Sequence, residues 1–365
     1  MSRSILLNPG PVTLSDRVRE ALMSVDWCHR EPEFAALTRW INDTLINVYT
    51  STGHDFESVI LTGSGTAAVE AMLATFAPDK AKTLVVANGV YGERMARILN
   101  AHGKPHTVVS SNAIEPMDFA AVRSSLADDK SIRYVATVHH ETTTGRLNDV
   151  EKLAAICRDA DVQLLVDAVS SFGAEAIEAE SWNIAALAAT ANKCLHGIPG
   201  LSFVLARSEL WNKNTMDAGS VYLDLRSYYA SQHGGGYSPY TQSVQAAFAL
   251  REALLEFAEG GGWVERRNGY RARAATIHAA MQNSGVQALL PAEDCSCVLR
   301  SYRLPEGVSY QELHDELKSN GYVIYAGQGE LASSIFRIAN MGDIRPSELD
   351  DFGTIVTSFF KSKHT

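Results

Sequence analysis

The residue whose surroundings most favour chemistry in this chain is Lys193. It lies between an apolar run, Ile184 to Ala189, and a turn of small residues that ends at Gly200. The run predicts a buried strand, so Lys193 should emerge at the edge of a packed sheet and not on a solvated helix face. A lysine in such a place either extends its amine to water or is desolvated for chemistry.

Asp167 ends a second apolar run, which begins at Val162. An acid and a lysine at the ends of neighbouring strands suit pyridoxal phosphate (PLP), because the lysine can form a Schiff base with that cofactor. The acid keeps the pyridine nitrogen protonated, so that the ring can accept an electron pair. Lys193 and Asp167 are therefore the predicted catalytic residues of a PLP site.

The segment from Val59 to Val69 predicts a strand, a turn with two glycines and a helix of small residues. It is not a P-loop, since no lysine follows the second glycine, and it lacks the third glycine of the dinucleotide-binding fingerprint. Backbone N–H groups and the helix dipole at such a turn are suited to a phosphate group. A simple tight turn before a helix is the alternative.

Other chemically useful side chains follow further predicted strands: Tyr91 stands between two glycines, and Glu141 and Thr142 come after another apolar run. Strands and helices alternate from about residue 58 to 206, which predicts an α/β fold with a mostly parallel sheet and helices on both faces. Ligands of such sheets bind beyond the carboxyl ends of the strands. We therefore expect all these residues to meet at one edge.

The organisation of the chain changes after residue 259. A flexible loop is expected at 233–241, followed by a long helix that ends at three glycines, Gly260 to Gly262. A boundary there gives three parts: an N-terminal arm (1–15), a large α/β domain (16–259) and a smaller α+β domain (260–365).

Arg337 alternates with apolar neighbours in a predicted strand of the smaller domain. Its side chain faces either solvent or the interior. In the second case the guanidinium can clamp a substrate carboxylate through two parallel hydrogen bonds.

The amino-acid composition excludes several classes of partner and binding site. The chain has 365 residues, of which 46% are hydrophobic and 20% charged, as expected for a globular protein with two domains. The net charge of −10 argues against nucleic acid as a partner, and no run is long enough to span a membrane. Five scattered cysteines predict reduced thiols in the cytoplasm. Cys295 and Cys297 lack partners at metal-ligand spacing, so no metal site is predicted.

These segments resemble the class V aminotransferases of the fold-type I PLP superfamily, and among them the 2-aminoethylphosphonate:pyruvate aminotransferases. The similarity covers essentially the whole chain. Its motifs are Asn8 to Pro11, Thr62 to Thr66, Asn88 to Gly92, Glu141 to Gly145, Asp167 to Ser171, Ala191 to Cys194 and Phe336 to Ile338.

The resemblance implies a role for each matching residue. Lys193 forms the Schiff base and moves the proton between the donor carbon and the cofactor, while Asp167 pairs with the pyridinium nitrogen. Tyr91 stacks on the ring and Thr142 contacts its 3-hydroxyl side. Further cofactor contacts come from the glycine turn and from residues beside the catalytic pair: Ser64, Gly65, Thr66, Val169 and Asn192.

The resemblance also implies a homodimer with shared active sites, in which Thr241 reaches the phosphate bound by the neighbouring subunit. Arg337 binds the carboxylate of pyruvate or alanine near the backbone of Gly10, and Arg30 and His29 are further candidates for contacting the anionic substrates.

The implied reaction moves the amino group of 2-aminoethylphosphonate to pyruvate and yields phosphonoacetaldehyde and L-alanine. The first alternative is a transaminase of the alanine–glyoxylate or serine–pyruvate type. A PLP lyase or a cysteine desulfurase is a second alternative. The desulfurase reaction needs a mobile cysteine, whereas Cys194 is expected on the packed side of the chain.

Overall fold

The computed structural model describes residues 3–52, 55–212 and 218–363. The strands are β1 (Ile5–Leu6), β2 (Phe56–Gly63), β3 (Lys82–Ala87), β4 (His106–Ser110), β5 (Ile132–Val138), β6 (His140–Glu141), β7 (Arg146–Leu147), β8 (Gln163–Asp167), β9 (Ile184–Thr190), β10 (Gly200–Arg207), β11 (Leu299–Arg303), β12 (Tyr322–Val323), β13 (Tyr325–Ala326) and β14 (Ile335–Ala339).

The helices are α1 (Asp16–Ala21), α2 (Pro32–Ile46), α3 (Gly65–Phe76), α4 (Val90–Ala101), α5 (Phe119–Asp128), α6 (Val150–Asp159), α7 (Ser208–Trp211), α8 (Leu225–Gly235), α9 (Val244–Glu259), α10 (Gly262–Asn283), α11 (Tyr310–Ser319) and α12 (Pro346–Lys363). None of these described helices is both long and apolar enough to cross a membrane.

A seven-stranded sheet forms the centre of the molecule, in the order β2-β10-β9-β8-β5-β3-β4. All pairs are parallel except those of β10, which runs against both β2 and β9. Since β10 alone is reversed, the other six strands end at the same edge of the sheet. The predicted α/β fold with a mostly parallel sheet is confirmed.

Apolar side chains alternate between the two faces of this sheet, as the pleat of a strand requires. Leu84 and Val86 of β3 belong to the core on one face, which α2, α5, α6 and α9 cover, whereas Val85 belongs to the core beneath α3 and α4. Helices therefore bury both faces, and polar groups gather at the strand ends.

The C-terminal part has a smaller antiparallel sheet, in the order β11-β14-β13. The N-terminal arm joins this part, because β1 pairs in parallel with β12 and places Ile5 and Leu7 in the apolar cluster around Phe336. The division into domains at residue 260 stays a prediction.

The expected loop at 233–241 begins later than predicted. His233 to Gly235 form the last turn of α8, and the helix ends at Gly236, whose φ of +82° is readily adopted by glycine. Buried Leu225, Tyr228 and Gln232 hold the helix against the large sheet in spite of its terminal glycines.

Candidate active site

Lys193 lies just beyond the end of β9 and begins a tight turn, in which the His196 N–H donates to the Lys193 carbonyl oxygen over 3.0 Å. The Nζ atom donates to the carbonyl oxygen of Pro9. Burial lowers the pKa of the amine to about 8, although Cys194 and Asp167 act in the opposite direction. The amine is therefore neutral in an appreciable fraction of molecules near pH 8 and can accept a proton.

The N-terminal arm passes directly over this amine at Gly10. The φ of Gly10 is +107°, and a Cβ atom at this position would stand 2.6 Å from Lys193 Nζ. Both the backbone conformation and the space therefore require glycine here. The sequence argument placed Gly10 near the substrate carboxylate and not near Lys193, and that role of Gly10 stays a prediction.

Asp167 is the last residue of β8, and its side chain is buried, with 7% of the residue exposed. The Val169 N–H donates to its Oδ1 over 3.0 Å. Burial raises the pKa of Asp167 to about 6, and the neighbouring Glu141 raises it further, while Arg94 and Lys193 lower it. The Asp167 carboxyl group and the Lys193 amine are thus close enough to shift each other's pKa.

The glycine turn lies beside this pair. Ser64 is the N-cap of α3, but its hydroxyl caps no N–H of the helix and is exposed. A Cβ atom on Gly65 would stand 2.7 Å from Val169 Cγ1, so the turn packs directly on the residue whose N–H binds Asp167. Exposed Thr66 follows in the first turn of the helix. The free N–H groups and hydroxyls at this helix end form an anion cradle.

Tyr91 lies in the first turn of α4, where it is held by Glu141. The Tyr91 N–H donates to Glu141 Oε2 over 3.2 Å, and Thr143 donates its hydroxyl to Oε1 over 2.5 Å. A side chain on Gly89 would collide with the Glu141 carboxyl group. Glu141 therefore acts on the backbone, as an N-terminal cap that places the Tyr91 ring.

Arg337 faces inward from β14 and is only 5% exposed, so the solvent-facing alternative is wrong. Its Nη1 donates to the Thr142 carbonyl oxygen over 3.0 Å, and its Nε donates to the Ala326 carbonyl oxygen over 2.8 Å. Its Nη2 makes no hydrogen bond within the described residues. Burial lowers the pKa of Arg337, which also acts electrostatically on Lys193. A buried guanidinium near the amine suits a small carboxylate.

The residues at this strand edge fit PLP. A desolvated amine, a buried carboxyl, an aromatic ring and an anion cradle are the groups that a phosphorylated pyridine aldehyde requires. The cradle is closed on one side by Val169, which leaves no room for a side chain on Gly65. In the described residues, no group of three His, Cys, Asp or Glu side chains is placed to hold a metal ion.

The sequence model of the family described as "Aminotransferase class-V" matches residues 37–347. The chain belongs to the class-V aminotransferases. A protein of Pseudomonas aeruginosa named 2-aminoethylphosphonate–pyruvate transaminase is 34% identical over 94% of this chain and 93% of its own length. A protein of Vibrio vulnificus with the same name is 35% identical over 95% of each chain.

Solved structures show the same fold for this aminotransferase. The crystal structure of pyridoxamine-pyruvate aminotransferase from Mesorhizobium loti superposes with a TM-score of 0.91 at 23% identity, covering 100% of this chain and 94% of the other. At that identity the likeness concerns the fold alone.

Asn192 and Thr241 are the remaining predicted cofactor residues. Asn192 follows β9, and its Oδ1 accepts a hydrogen bond of 2.9 Å from the Thr190 hydroxyl, which leaves its amide N–H groups for a ligand. Thr241 is exposed on the protein surface, two residues before the N-cap of α9.

Over the ranges it describes, the structure shows no bond between the other predicted site residues and His29 or Arg30. They lie in the turn before α2, where Arg30 is exposed, and no hydrogen bond or ion pair in the described part joins them to Lys193, Asp167 or Arg337. Their role in substrate binding stays a prediction.

Arg94 is a site residue that the sequence argument missed. Its guanidinium lies 4.7 Å from the centre of the Tyr91 ring, and its Nη1 donates to Thr66 Oγ1 over 3.1 Å. It therefore links the aromatic ring to the anion cradle. The available signal was its spacing, since residues three apart share a helix face.

Proposed function

We propose that this aminotransferase uses PLP to transfer the amino group of 2-aminoethylphosphonate to pyruvate, which gives phosphonoacetaldehyde and L-alanine. One observation carries the proposal: the half-buried Lys193 amine donates to the Pro9 carbonyl oxygen beneath Gly10, at the sheet edge that also holds the buried Asp167 carboxyl group, and a buried guanidinium, Arg337, acts electrostatically on it. The relatives with that name match nearly the whole chain, which supports the choice of donor.

The cofactor supplies an electron sink for the carbon that bears the amino group. Lys193 holds the cofactor and, once its amine is released, takes the proton from that carbon and returns it at the next step. Asp167 keeps a proton on the pyridine nitrogen. Burial and the loss of water around Lys193 keep its pKa low enough for both proton transfers near neutral pH.

The other residues bind and orient the reactants. We propose that Ser64, Gly65 and Thr66 bind the cofactor phosphate, while Arg337 binds the carboxylate of pyruvate. Tyr91 would stack on the pyridine ring and Thr142 would contact its 3-hydroxyl side. Val169 packs against Gly65 of the cradle, and the Asn192 amide would donate to the phosphate.

A desulfurase reaction is disfavoured by Cys194. Its thiol is completely buried and contacts Ser170 O at 3.5 Å and Met341 Sδ at 3.9 Å. Burial raises the pKa of Cys194 to about 12, so a reactive thiolate is not formed near neutral pH.

A donor comparison tests the proposed reaction. With pyruvate as acceptor, 2-aminoethylphosphonate should give alanine at a kcat/KM at least about 100-fold above that of serine, because a site built for one anion discriminates by several kcal/mol. Alanine formation is measured by chromatography. Equal or better use of serine, or of alanine with glyoxylate, would select the first alternative.

The same assay with Arg337→Lys tests whether the pyruvate carboxylate and the donor phosphonate bind to the same residue. Lysine loses the paired hydrogen bonds, so KM for pyruvate should rise about 10- to 100-fold. If the donor KM stays constant, the phosphonate is bound elsewhere, and His29 and Arg30 of a second subunit become the candidates. Arg303→Lys, at the exposed end of β11 in the same small sheet, is the matched control and should change neither KM.

We also propose a homodimer in which each site uses Thr241 of the other subunit. Exposed apolar side chains support such an interface: Met23 and Val25 before α2, and Val221, whose carbonyl oxygen accepts a hydrogen bond from Tyr240 beside Thr241.

Lys193→Ala and Thr241→Glu subunits should each be inactive alone. Mixed, they should recover about a quarter of the activity, because half of the dimers contain one intact site. Absence of recovery in verified mixed dimers would contradict a shared site.

A further inference from the structure

The turn that begins at Lys193 is closed by His196. The His196 N–H donates to the Lys193 carbonyl oxygen over 3.0 Å, and the Gly197 N–H donates to the Ala191 carbonyl oxygen over 2.8 Å. His196 has a φ of +65°, a left-handed conformation that costs free energy for a residue with a Cβ atom. Such a conformation persists only where surrounding contacts hold it.

The imidazole of His196 provides those contacts. Its Nε2 accepts a hydrogen bond of 2.8 Å from the Gly342 N–H and lies 2.5 Å from the Tyr270 hydroxyl. The two rings also stack, with centres 5.9 Å apart and planes at 22°. Because a backbone N–H can only donate, Nε2 must carry its lone pair, and the hydrogen of the neutral ring lies on Nδ1.

The groups around His196 keep it neutral. Burial lowers its pKa well below the usual range, and the cationic side chains of Arg266 and Arg273 lower it further. Arg266 also donates to the Cys194 carbonyl oxygen over 2.9 Å, within the same turn. The turn is therefore held at two points from outside.

The residues that His196 contacts are connected to β14, the strand that carries Arg337. Asn340 directly follows β14, Gly342 lies two residues further on, and Asn340 Nδ2 donates to the Tyr270 carbonyl oxygen over 2.6 Å. Arg273 Nη1 donates to the carbonyl oxygens of both Asn340 and Gly342. His196 is thus a cross-link between the turn that carries the amine and the strand that carries the guanidinium.

We propose that His196 is a positioning residue that fixes the Lys193 amine relative to the Arg337 guanidinium. It acts through the turn, by its N–H, and through Gly342 and Tyr270, by its imidazole. The inference rests on the proposed role of Lys193 in the reaction. The left-handed backbone at position 196 is retained because it lets the imidazole reach Gly342 and Tyr270.

The test uses His196→Asn, because asparagine tolerates the left-handed conformation but is too short to replace the ring. Tyr270→Phe removes only the hydroxyl. The matched control is His278→Asn, since His278 also packs against a tyrosine, Tyr302, with ring centres 6.2 Å apart, but lies near the other end of α10.

Two measurements distinguish positioning from general stability. In protein without PLP, trace acetylation of Lys193 is followed by mass spectrometry against pH. His196→Asn should raise the midpoint by about one pH unit, because a loosened turn admits water to the amine. In the PLP-loaded enzyme, kcat should fall about 10-fold and KM for pyruvate should rise, because the distance between the Lys193 amine and the Arg337 guanidinium is no longer fixed. Tyr270→Phe should change both in the same direction by less, and His278→Asn should change neither.

A variant with a lower melting temperature but an unchanged acetylation midpoint and unchanged kinetics would overturn the proposal and leave His196 a structural residue. Failure of the proposed function gives a different pattern: the acetylation midpoint would still shift, while replacement of Lys193 itself would leave the visible absorbance and the activity intact.

Discussion

Lys193→Ala should abolish the visible absorbance of the PLP-loaded protein and reduce transamination by about 10³-fold or more. Two functions are lost together, because the same amine holds the cofactor and transfers the proton, and a positioned base alone contributes about 10²- to 10⁴-fold. The absorbance spectrum and alanine formation measure the two losses separately.

Lys193→Arg tests whether the positive charge at this position is sufficient for activity without a reactive amine. Lys193→Arg keeps a cation next to the Pro9 carbonyl oxygen but cannot form the covalent link or give up its proton near neutral pH. It should therefore be as inactive as the alanine variant. Small primary amines in the medium should partly restore the alanine variant, which has space for them, and should not restore the arginine variant.

Lys104 is the matched control for these variants. It is a buried lysine, only 3% exposed, and its Nζ donates to Asp79 Oδ1 over 2.5 Å. Lys104→Ala should lower the melting temperature yet leave the visible band and kcat unchanged. If the Lys193 variants kept that band, the assignment of the cofactor lysine would be wrong.

The sequence argument paired Lys193 with Asp167 because each stands at the end of a strand whose apolar run is unmistakable. All six parallel strands end at one edge, so the position along the chain is enough to bring Lys193, Asp167 and the glycine turn together. The reversed direction of β10 was not predictable in this way, since an apolar run carries no sign of its direction.

Contacts distant in sequence account for the features that the pattern could not supply. The pairing of β1 with β12 joins the two ends of the chain, and no local periodicity predicts it. Whether the Arg337 side chain is buried depends on whether both faces of β14 are covered. The alternation of polar and apolar residues in the strand does not decide this. His29 and Arg30 resemble family positions, but they lie in an irregular turn, which no apolar periodicity places relative to the sheet.

Asp167→Asn should reduce kcat by about 10²- to 10³-fold, the usual effect of removing one preorganised electrostatic partner. Asparagine retains the size of the side chain and can still accept the Val169 N–H through its oxygen. It cannot hold a proton on the pyridine nitrogen as an anion does. The Lys193-dependent visible band should persist, because the covalent link does not need Asp167.

The same substitution should stabilise the protein that lacks PLP. Burial raises the pKa of Asp167 from 3.8 to about 6. The folded protein therefore binds more protons than the unfolded protein between those values, and the contribution of Asp167 to stability falls as the pH rises through this window. Above pH 6, unloaded Asp167→Asn should be more stable by up to about 2–3 kcal/mol, at 1.36 kcal/mol per pKa unit, and the difference should vanish below about pH 4.

With PLP bound, the sign reverses, because the carboxylate gains a cationic partner that asparagine cannot replace. Urea unfolding at several pH values, with and without PLP, measures both differences. Asp118→Asn is the control: Asp118 is the exposed N-cap of α5, where asparagine caps equally well, so activity and stability should stay constant. If Asp167→Asn lowered the stability both with and without PLP, the Asp167 carboxyl group would stabilise the fold itself. Opposite signs would mean that the fold tolerates an unfavourable buried carboxyl because its partner is the cofactor.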